Sequence, residues 1–93
     1  MTEIKQEDGR KGKFEIFDEE RLAGEMTYTW AGDTKFIIDH TEVKEGFEGK
    51  GLGKKLVLAA VDFARSRNVK IMPLCPYAKS VFDKSPDLKD VLF

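Results

Sequence analysis

The amino-acid sequence predicts an α+β fold, with a mixed, mostly antiparallel sheet of about five strands, one parallel strand-helix-strand unit and a second helix near the C-terminus. Two observations predict it. Four strand-like segments follow one another with short links, and a long segment with helical spacing then leads into a short apolar run. With 93 residues, 41% of them apolar, the chain can bury one modest core, which predicts a single compact domain over residues 1–93.

Four strands are predicted in the first half of the chain, and they are rich in Phe, Ile, Thr, Tyr and Trp. They run from Thr2 to Glu7, Lys13 to Asp18, Arg21 to Ala31 and Lys35 to Val43. Turn signals separate them, among them the glycines at positions 9 and 32. Because the links are short, neighbouring strands should be antiparallel.

The second half of the chain predicts helix, strand and helix. Apolar residues recur at helical spacing from Leu52 onward, and Asn68 is a plausible stop. Lys70 to Leu74 is then a short strand, and Pro76 can open a second helix that ends before Ser85-Pro86. The segment from Asp87 to Phe93 is expected to form a final turn or a short edge segment.

Composition and charge exclude some classes of function. The net charge of −1 argues against nucleic acid as a partner, and no apolar run approaches the roughly 20 residues of a membrane span. One cysteine and no recognisable leader lead us to expect a cytoplasmic protein. Residues 1–49 carry 7 Lys/Arg and 13 Asp/Glu, whereas residues 50–93 carry 9 and 4. These are either ordinary solvated charges or an acidic half that faces a cation and a basic half that handles an anion.

The stretch Glu48-Gly49-Lys50-Gly51-Leu52-Gly53 is the main candidate binding site. Glycines before a helix can serve only to turn the chain, but a strand followed by such a loop and a helix also gathers free backbone N–H groups around an anion. In a parallel strand-helix-strand unit, this loop lies beside the C-terminal ends of both strands. His40 and Cys75 lie near those two ends, so we expect them at the same rim.

These residues resemble a known family. Val43 and the glycine stretch resemble the acetyl-coenzyme A loop of the GCN5-related N-acetyltransferases, whose motif is Gln/Arg-x-x-Gly-x-Gly/Ala at the end of a strand. Two further segments, Ile38–Val43 and Pro73–Tyr77 with Lys79-Ser80, are similar to the small, cysteine-containing members. The resemblance covers roughly Lys13 to Val91.

The resemblance implies a site for acetyl-coenzyme A and no metal. The backbone of Val43 would pair with the pantetheine arm, and the amides from Gly49 to Gly53, with Gly51 and Leu52 between them, would surround the pyrophosphate. Charge could be added by Lys50, Lys54 and Lys55, which could equally form a solvated helix face. The chain departs from the motif at Glu48, where a carboxylate replaces Gln or Arg and would repel phosphate unless it points away.

A second departure concerns the proton donor. Larger relatives use a Tyr on the last helix, and the matching position here is Phe82, which has no proton to give. The resemblance favours Cys75 instead, either as the donor to the coenzyme A thiolate or as a nucleophile that carries the acetyl group. His40 is the natural base for the amine. Strand alternation places His40 on the same face as Phe36 and Ile38, so it could also be a core histidine.

Two functions follow as expectations. The first is an N-acetyltransferase that moves acetyl from acetyl-coenzyme A to a primary amine. The second is a non-catalytic module that binds coenzyme A or an acyl form. The short links among the first three strands leave no room for helices over the acceptor side, so an exposed lysine, a protein N-terminus or a polyamine is the expected acceptor.

Overall fold

The computed structural model describes all residues from 1 to 93 and contains five strands, two α-helices and one 3₁₀ helix. The strands are β1 (Thr2–Glu7), β2 (Lys11–Asp18), β3 (Arg21–Trp30), β4 (Lys35–Val43) and β5 (Lys70–Pro73). The helices are α1 (Leu52–Arg67) and α2 (Pro76–Asp83), and a 3₁₀ helix (Pro86–Val91) follows them. No helix is long and apolar enough to cross a membrane.

The sheet has the order β1-β2-β3-β4-β5. The first four strands pair antiparallel, while β4 and β5 are parallel and joined through α1. The predicted mixed, mostly antiparallel sheet and its parallel strand-helix-strand unit are therefore confirmed. The C-terminal segment, expected to form a turn or an edge, does both, because the 3₁₀ helix is followed by a parallel bridge between Ile71 and Leu92.

Both helix boundaries that carry a sequence signal lie where the sequence placed them. Asn68 adopts the left-handed conformation and its N–H donates to the carbonyls of Ala64 and Arg65, which ends α1. Pro76 occupies the first turn of α2, where its missing N–H costs nothing because such donors have no helical acceptor. The residue before it, Cys75, is extended and forms the N-cap.

The core lies between one face of the sheet and the helices. Its strand residues alternate along β2, β3 and β4, and α1 and α2 contribute the opposing side chains. The other face of the sheet has no helix over it. An aromatic cluster joins the two layers, and its members are Phe14, Tyr28, Trp30, Phe36 and Phe63. Tyr28 and Trp30 thus serve core packing.

The Tyr28 hydroxyl links the end of β1 and the turn that follows it to this core through two hydrogen bonds. Its hydroxyl donates to Oδ1 of Asp8 at 2.6 Å and accepts from Nε2 of Gln6 at 2.9 Å. Burial and the neighbouring carboxylate raise the pKa of Tyr28 to about 12, and the hydrogen bonds that Asp8 accepts outweigh its desolvation and lower the pKa of Asp8. The polar end of a fully buried ring is thereby satisfied.

Replacing Gly12 by alanine should destabilise the fold, because the added Cβ would lie 2.3 Å from Cζ of the Tyr28 ring. We expect a loss of about 1–3 kcal/mol in the free energy of unfolding, measured by urea denaturation. Gly9→Ala is the matched control, since its Cβ meets no atom closer than 3.4 Å. Equal stability of the two variants would contradict this account of the Tyr28 packing.

Candidate active site

The candidate site forms where β4 and β5 part. The two strands pair only from Lys35 and Lys70 to Ile38 and Pro73. Beyond that point the N–H groups of Leu74 and Cys75 both donate to the carbonyl of Ile38, at 3.2 and 3.1 Å, and the chain turns into α2. Because β4 continues to Val43 without a partner on this side, a groove opens between the two segments.

This groove has a volume of about 330 Å³ and runs from the parted strands to the N-terminus of α1. It is lined by the end of β4, the loop before α1, the first turn of α1 and one residue of α2. The lining residues are Thr41, Val43, Phe47, Glu48, Gly49, Gly51, Leu52, Gly53 and Tyr77. Six of the eight residues predicted to bind the cofactor line it: Val43, Glu48, Gly49, Gly51, Leu52 and Gly53.

A β-bulge in β4 decides which side chains face this groove. Tyr28 pairs with Ile38 and Thr27 pairs with His40, which leaves Asp39 as an extra residue. The prediction that His40 shares a face with Phe36 and Ile38 is therefore wrong, because the bulge shifts the alternation by one residue. His40 is exposed on the open face of the sheet.

The bulge also sets the orientation of the backbone. The N–H of Lys44 donates to the carbonyl of Ala23 on β3 at 2.7 Å. Since the backbone groups of successive strand residues point to opposite sides, the N–H and C=O of Val43 point away from β3 and toward the groove. Thr41, two residues earlier, has the same orientation. The predicted contribution of Val43 through its backbone fits this geometry.

The loop before α1 depends on glycine for its shape. Gly46, Gly49 and Gly51 have φ values of +91°, +81° and +73°, which side chains with a Cβ rarely adopt. Gly51 is the N-cap of α1, no side chain caps the helix, and its first turn contains no acidic residue. The free N–H groups at this helix start therefore face a groove suited to an anion.

Two charged side chains of the loop, those of Glu48 and Lys50, form hydrogen bonds within the protein. Oε1 of Glu48 accepts from the N–H of Gly46 at 2.9 Å, so this carboxylate is held against its own loop. Nζ of Lys50 donates to Oδ2 of Asp18 at 3.0 Å and lies 5.5 Å from the centroid of the Phe47 ring. Both contacts hold the loop in place. Lys54 is exposed on the first turn of α1.

Cys75 does not line the groove but lies behind Thr41, which does, and is 5% exposed. Its Sγ is 3.5 Å from Oγ1 of Thr41, within hydrogen-bonding distance for sulfur. Burial raises the pKa of this thiol, but hydrogen bonds from the N–H groups of Ala78 and Tyr77 at the start of α2, and from Thr41, outweigh burial and lower the pKa overall. The thiolate form of Cys75 is therefore more stable, relative to the thiol, than in an ordinary cysteine.

His40 and Cys75 are not brought together on one face of the sheet. Thr41 faces Cys75, whereas His40, the preceding residue, faces the opposite side. Both lie at the end of the sheet where β4 and β5 part. The structure has no group of three or more His, Cys, Asp or Glu side chains placed to hold a metal ion.

Three lining residues were absent from the predicted site: Thr41, Phe47 and Tyr77. Tyr77 packs so closely on the first turn of α1 that a Cβ on Gly53 would lie 2.9 Å from its ring. Glycine at position 53 is thus explained by this contact and not by a positive φ. Counting two residues back from Val43 leads to Thr41, but only knowledge of the bulge shows that this side chain faces the groove.

Fold and groove together define an α+β protein that presents the free N–H groups of a helix start to a groove between two parted strands. A model of the family described as GCN5-related N-acetyl-transferase matches residues 13–91. The chain therefore belongs to this family. The resemblance drawn from its sequence motifs is confirmed.

Individual curated proteins are also similar to this chain. Protein NATD1 of Xenopus tropicalis is 31% identical over 61 residues, which cover 66% of this chain and 56% of that protein. The human protein NATD1 is 30% identical over 61 residues, which cover 66% and 54%. The match thus spans just over half the length of these curated relatives.

Solved structures show the same fold. A GCN5-like protein from Staphylococcus aureus, with a solution structure determined by NMR, has a TM-score of 0.75 and 38% identity and covers 98% of this chain and 87% of that one. A GNAT family acetyltransferase from Elizabethkingia anophelis, solved with acetyl-CoA bound, has a TM-score of 0.63 at 15% identity and covers 69% and 42%. The second likeness concerns the fold alone.

Replacing Thr41 by valine should raise the pKa of the Cys75 thiol, because one of the hydrogen bonds that stabilise the thiolate is removed. The fraction of thiolate at neutral pH should fall accordingly. A titration of thiolate absorbance at 240 nm, with Cys75→Ser as the blank, measures this pKa.

Thr27→Val is the matched control for this titration, since Thr27 pairs with His40 and faces away from Cys75. It should leave the titration curve unchanged. Identical curves for Thr41→Val and the unmodified protein would show that the Thr41 hydroxyl does not act on the thiol.

Proposed function

We propose that the protein is an N-acetyltransferase that moves an acetyl group from acetyl-coenzyme A to a primary amine. The observation that carries this proposal is the continuity of the groove. The free N–H groups at the start of α1 lie at one end, and Thr41, the partner of Cys75, lies at the other. Membership of the GCN5-related N-acetyltransferase family supports the same reaction.

In this proposal the cofactor lies along the groove. The N–H and C=O of Val43 pair with the pantetheine arm, because β5 leaves this side of β4 free after Ile38. The amides of Gly49, Lys50, Gly51, Leu52 and Gly53 surround the pyrophosphate. Glu48 contributes through its backbone, since its carboxylate is held by Gly46. Lys54 adds positive charge at the first helical turn.

The reaction needs a proton for the leaving coenzyme A thiolate. As the amine nitrogen bonds to the acetyl carbon, the carbon–sulfur bond breaks and the thiolate sulfur takes a proton. Cys75 either donates that proton or first carries the acetyl group as a thioester and then yields it to the amine. Both roles pass through a Cys75 thiolate, which the start of α2 and Thr41 stabilise. A hydroxylamine-sensitive acetyl adduct on Cys75 in rapid-quench mass spectra is expected for the second role only.

We assign His40 as the base that removes a proton from the attacking amine, directly or through a water. Its position on the open face of the sheet supports an acceptor that arrives from that side. The acceptor would then meet His40 on one face of β4 while the thioester lies in the groove where β4 and β5 part. The amine would then reach the thioester through the opening between β4 and β5, where the open face of the sheet meets the groove.

The open face also supports an amine that is cationic in solution. Three carboxylates form a row across neighbouring strands, because Glu15 pairs with Glu25 and Glu25 pairs with Glu42. Two of them form ion pairs: Oε2 of Glu15 lies 3.8 Å from Nζ of Lys13, and Oε1 of Glu42 lies 3.4 Å from Nζ of Lys44. Glu25 makes no ion pair. No helix covers this face, so an exposed lysine, a protein N-terminus or a polyamine fits better than an enclosed substrate.

Titration with acetyl-coenzyme A should shift the amide NMR signals of Gly49, Gly51 and Gly53, because these N–H groups lie in or next to the proposed pyrophosphate site. The amide of Gly32, in the turn between β3 and β4, should not move. Shifts confined to residues outside the loop would overturn the cofactor assignment.

Replacing Cys75 by alanine should lower kcat by about 100-fold on an accepted amine, and His40→Gln should lower it by about 10- to 100-fold. Steady-state acetylation of a panel of amines, with release of free coenzyme A as the readout, identifies the acceptor and measures both variants. The amount of free coenzyme A released is compared with the amount of amine acetylated, and the two should be equal.

Ser66→Ala is the matched control for these variants, because Ser66 lies near the C-terminal end of α1, away from the groove, and its hydroxyl donates only to the carbonyl of Phe63. It should retain full turnover. Full turnover of both Cys75→Ala and His40→Gln would show that neither residue takes part in the reaction.

A second function is favoured by two observations. His40 and Cys75 face opposite sides of β4, and Phe82, at the position where larger relatives carry a proton-donating Tyr, is 1% exposed and packed in the core. A module that binds coenzyme A or an acyl form without turnover would tolerate both. It predicts saturable binding of acetyl-coenzyme A with no acetyl transfer to any amine of the panel.

A further inference from the structure

A basin on the open face of the sheet lies next to His40. It has a volume of about 590 Å³ and shares no lining residue with the groove beside α1. The parts that matter for its chemistry are two lysines of β2, Lys11 and Lys13, and the bulged residue of β4, Asp39. Thr27, on the floor of the basin, pairs with His40, and Asp39 precedes His40 in the chain, so the basin adjoins the proposed base.

One side of this basin is positively charged. Lys11 is exposed and makes neither an ion pair nor a side-chain hydrogen bond. Lys13 lies on the same face of β2, and its one ion pair, with Glu15, is long at 3.8 Å. Glu7 lies opposite Lys13 on β1 and also lines the basin, but it forms no ion pair with either lysine. The two ammonium groups are therefore available to an anion that enters the basin.

The opposite side of the basin presents a carboxylate. Asp39 is the extra residue of the β4 bulge and is exposed. Its Oδ2 accepts from Oγ1 of Thr29 at 2.6 Å, which fixes the side chain, while its Oδ1 has no partner. The basin thus places cations on β2 and a positioned anion on β4. This pattern is complementary to the carboxylate and the α-ammonium of a free amino acid.

The spacing of the strands fits the length of such a molecule. Lys13, Thr27 and His40 lie in one row across β2, β3 and β4. Neighbouring strands are roughly 4.8 Å apart, so the backbones at the two ends of this row are about 10 Å apart. In extended lysine the carboxyl carbon and the side-chain nitrogen are about 7 Å apart, given bonds of about 1.5 Å. The ammonium groups of β2 can extend over the remaining distance.

We propose that the acceptor is a free diamino acid of the length of lysine. Lys11 and Lys13 bind its carboxylate, Asp39 binds its α-ammonium, and its side-chain amine lies beside His40. The inference rests on the proposed function and narrows its acceptor, since a polyamine has no carboxylate for the two lysines to bind. The side-chain nitrogen bonds to the acetyl carbon, the carbon–sulfur bond breaks, the amine proton passes to His40 and coenzyme A leaves as the thiol.

The test compares free lysine with lysinamide, in which a neutral amide replaces the carboxylate. At saturating acetyl-coenzyme A, acetylation of the side-chain amine should have a kcat/KM about tenfold higher for lysine, since exposed ion pairs contribute modestly each. The double variant Lys11→Gln/Lys13→Gln should lower kcat/KM for lysine about tenfold without lowering it for lysinamide. Retained turnover of lysinamide also shows that the variant is folded. Fragmentation in the mass spectrometer identifies the acetylated nitrogen.

A second comparison tests Asp39 and uses 6-aminohexanoate, which lacks only the α-ammonium of lysine. Asp39→Asn should lower kcat/KM about threefold for lysine and leave it unchanged for 6-aminohexanoate. A loss of equal size for both acceptors would contradict the assignment of Asp39, because the carboxylate would then act on something other than the α-ammonium.

Lys5→Gln/Lys89→Gln is the matched control, because both lysines are exposed and line neither the basin nor the groove. It removes the same charge and should preserve the tenfold preference for lysine. Equal kcat/KM values for lysine and lysinamide, a preference that persists in the Lys11→Gln/Lys13→Gln variant, or acetylation of peptide lysines or polyamines alone would overturn the inference and leave the proposed function standing. Absence of acetyl transfer to every amine tested would overturn the proposed function itself.

Discussion

The β-bulge at Asp39 is the constraint on which the candidate site depends. Without the extra residue, alternation along β4 would direct the side chain of His40 into the core and that of Thr41 to the open face. With it, Thr41 meets Cys75, and the backbone of Val43 points to the side that β5 has left. One inserted residue thus separates the strand into a half that supports the core and a half that lines a groove.

The sequence predicted the fold more completely than it predicted the site. Strand and helix boundaries carry local signals, such as Asn68 at the end of α1 and Pro76 at the start of α2, and these signals act over one turn. A bulge has no comparable signal, because it arises from pairing between strands. The contact between Gly53 and Tyr77 joins residues on two helices, which is why Tyr77 was absent from the predicted site.

The charged residues illustrate the same limit. Glu48 departs from the family motif, and from its position in the sequence its carboxylate was expected to lie beside the phosphate site unless it pointed away. In the structure its carboxylate accepts from the N–H of Gly46, and the ammonium group of Lys50 donates to Asp18 at the end of β2. Charge counted along the chain therefore says which half is basic, whereas the partners of each side chain determine which cations remain free.

Both edges of the sheet are protected against pairing with another sheet. At β5 the ladder is continued by the chain itself, through the bridge between Ile71 and Leu92 and the donation from the N–H of Phe93 to the carbonyl of Ile71. At β1 the strand has six residues, and Glu3, Lys5 and Glu7 all carry charge. Charge on an edge strand disfavours strand addition. A protein whose groove requires two strands to part can thus keep unpaired backbone inside that groove, while charge at one edge and the C-terminal segment at the other disfavour the pairing with a second molecule that leads to aggregation.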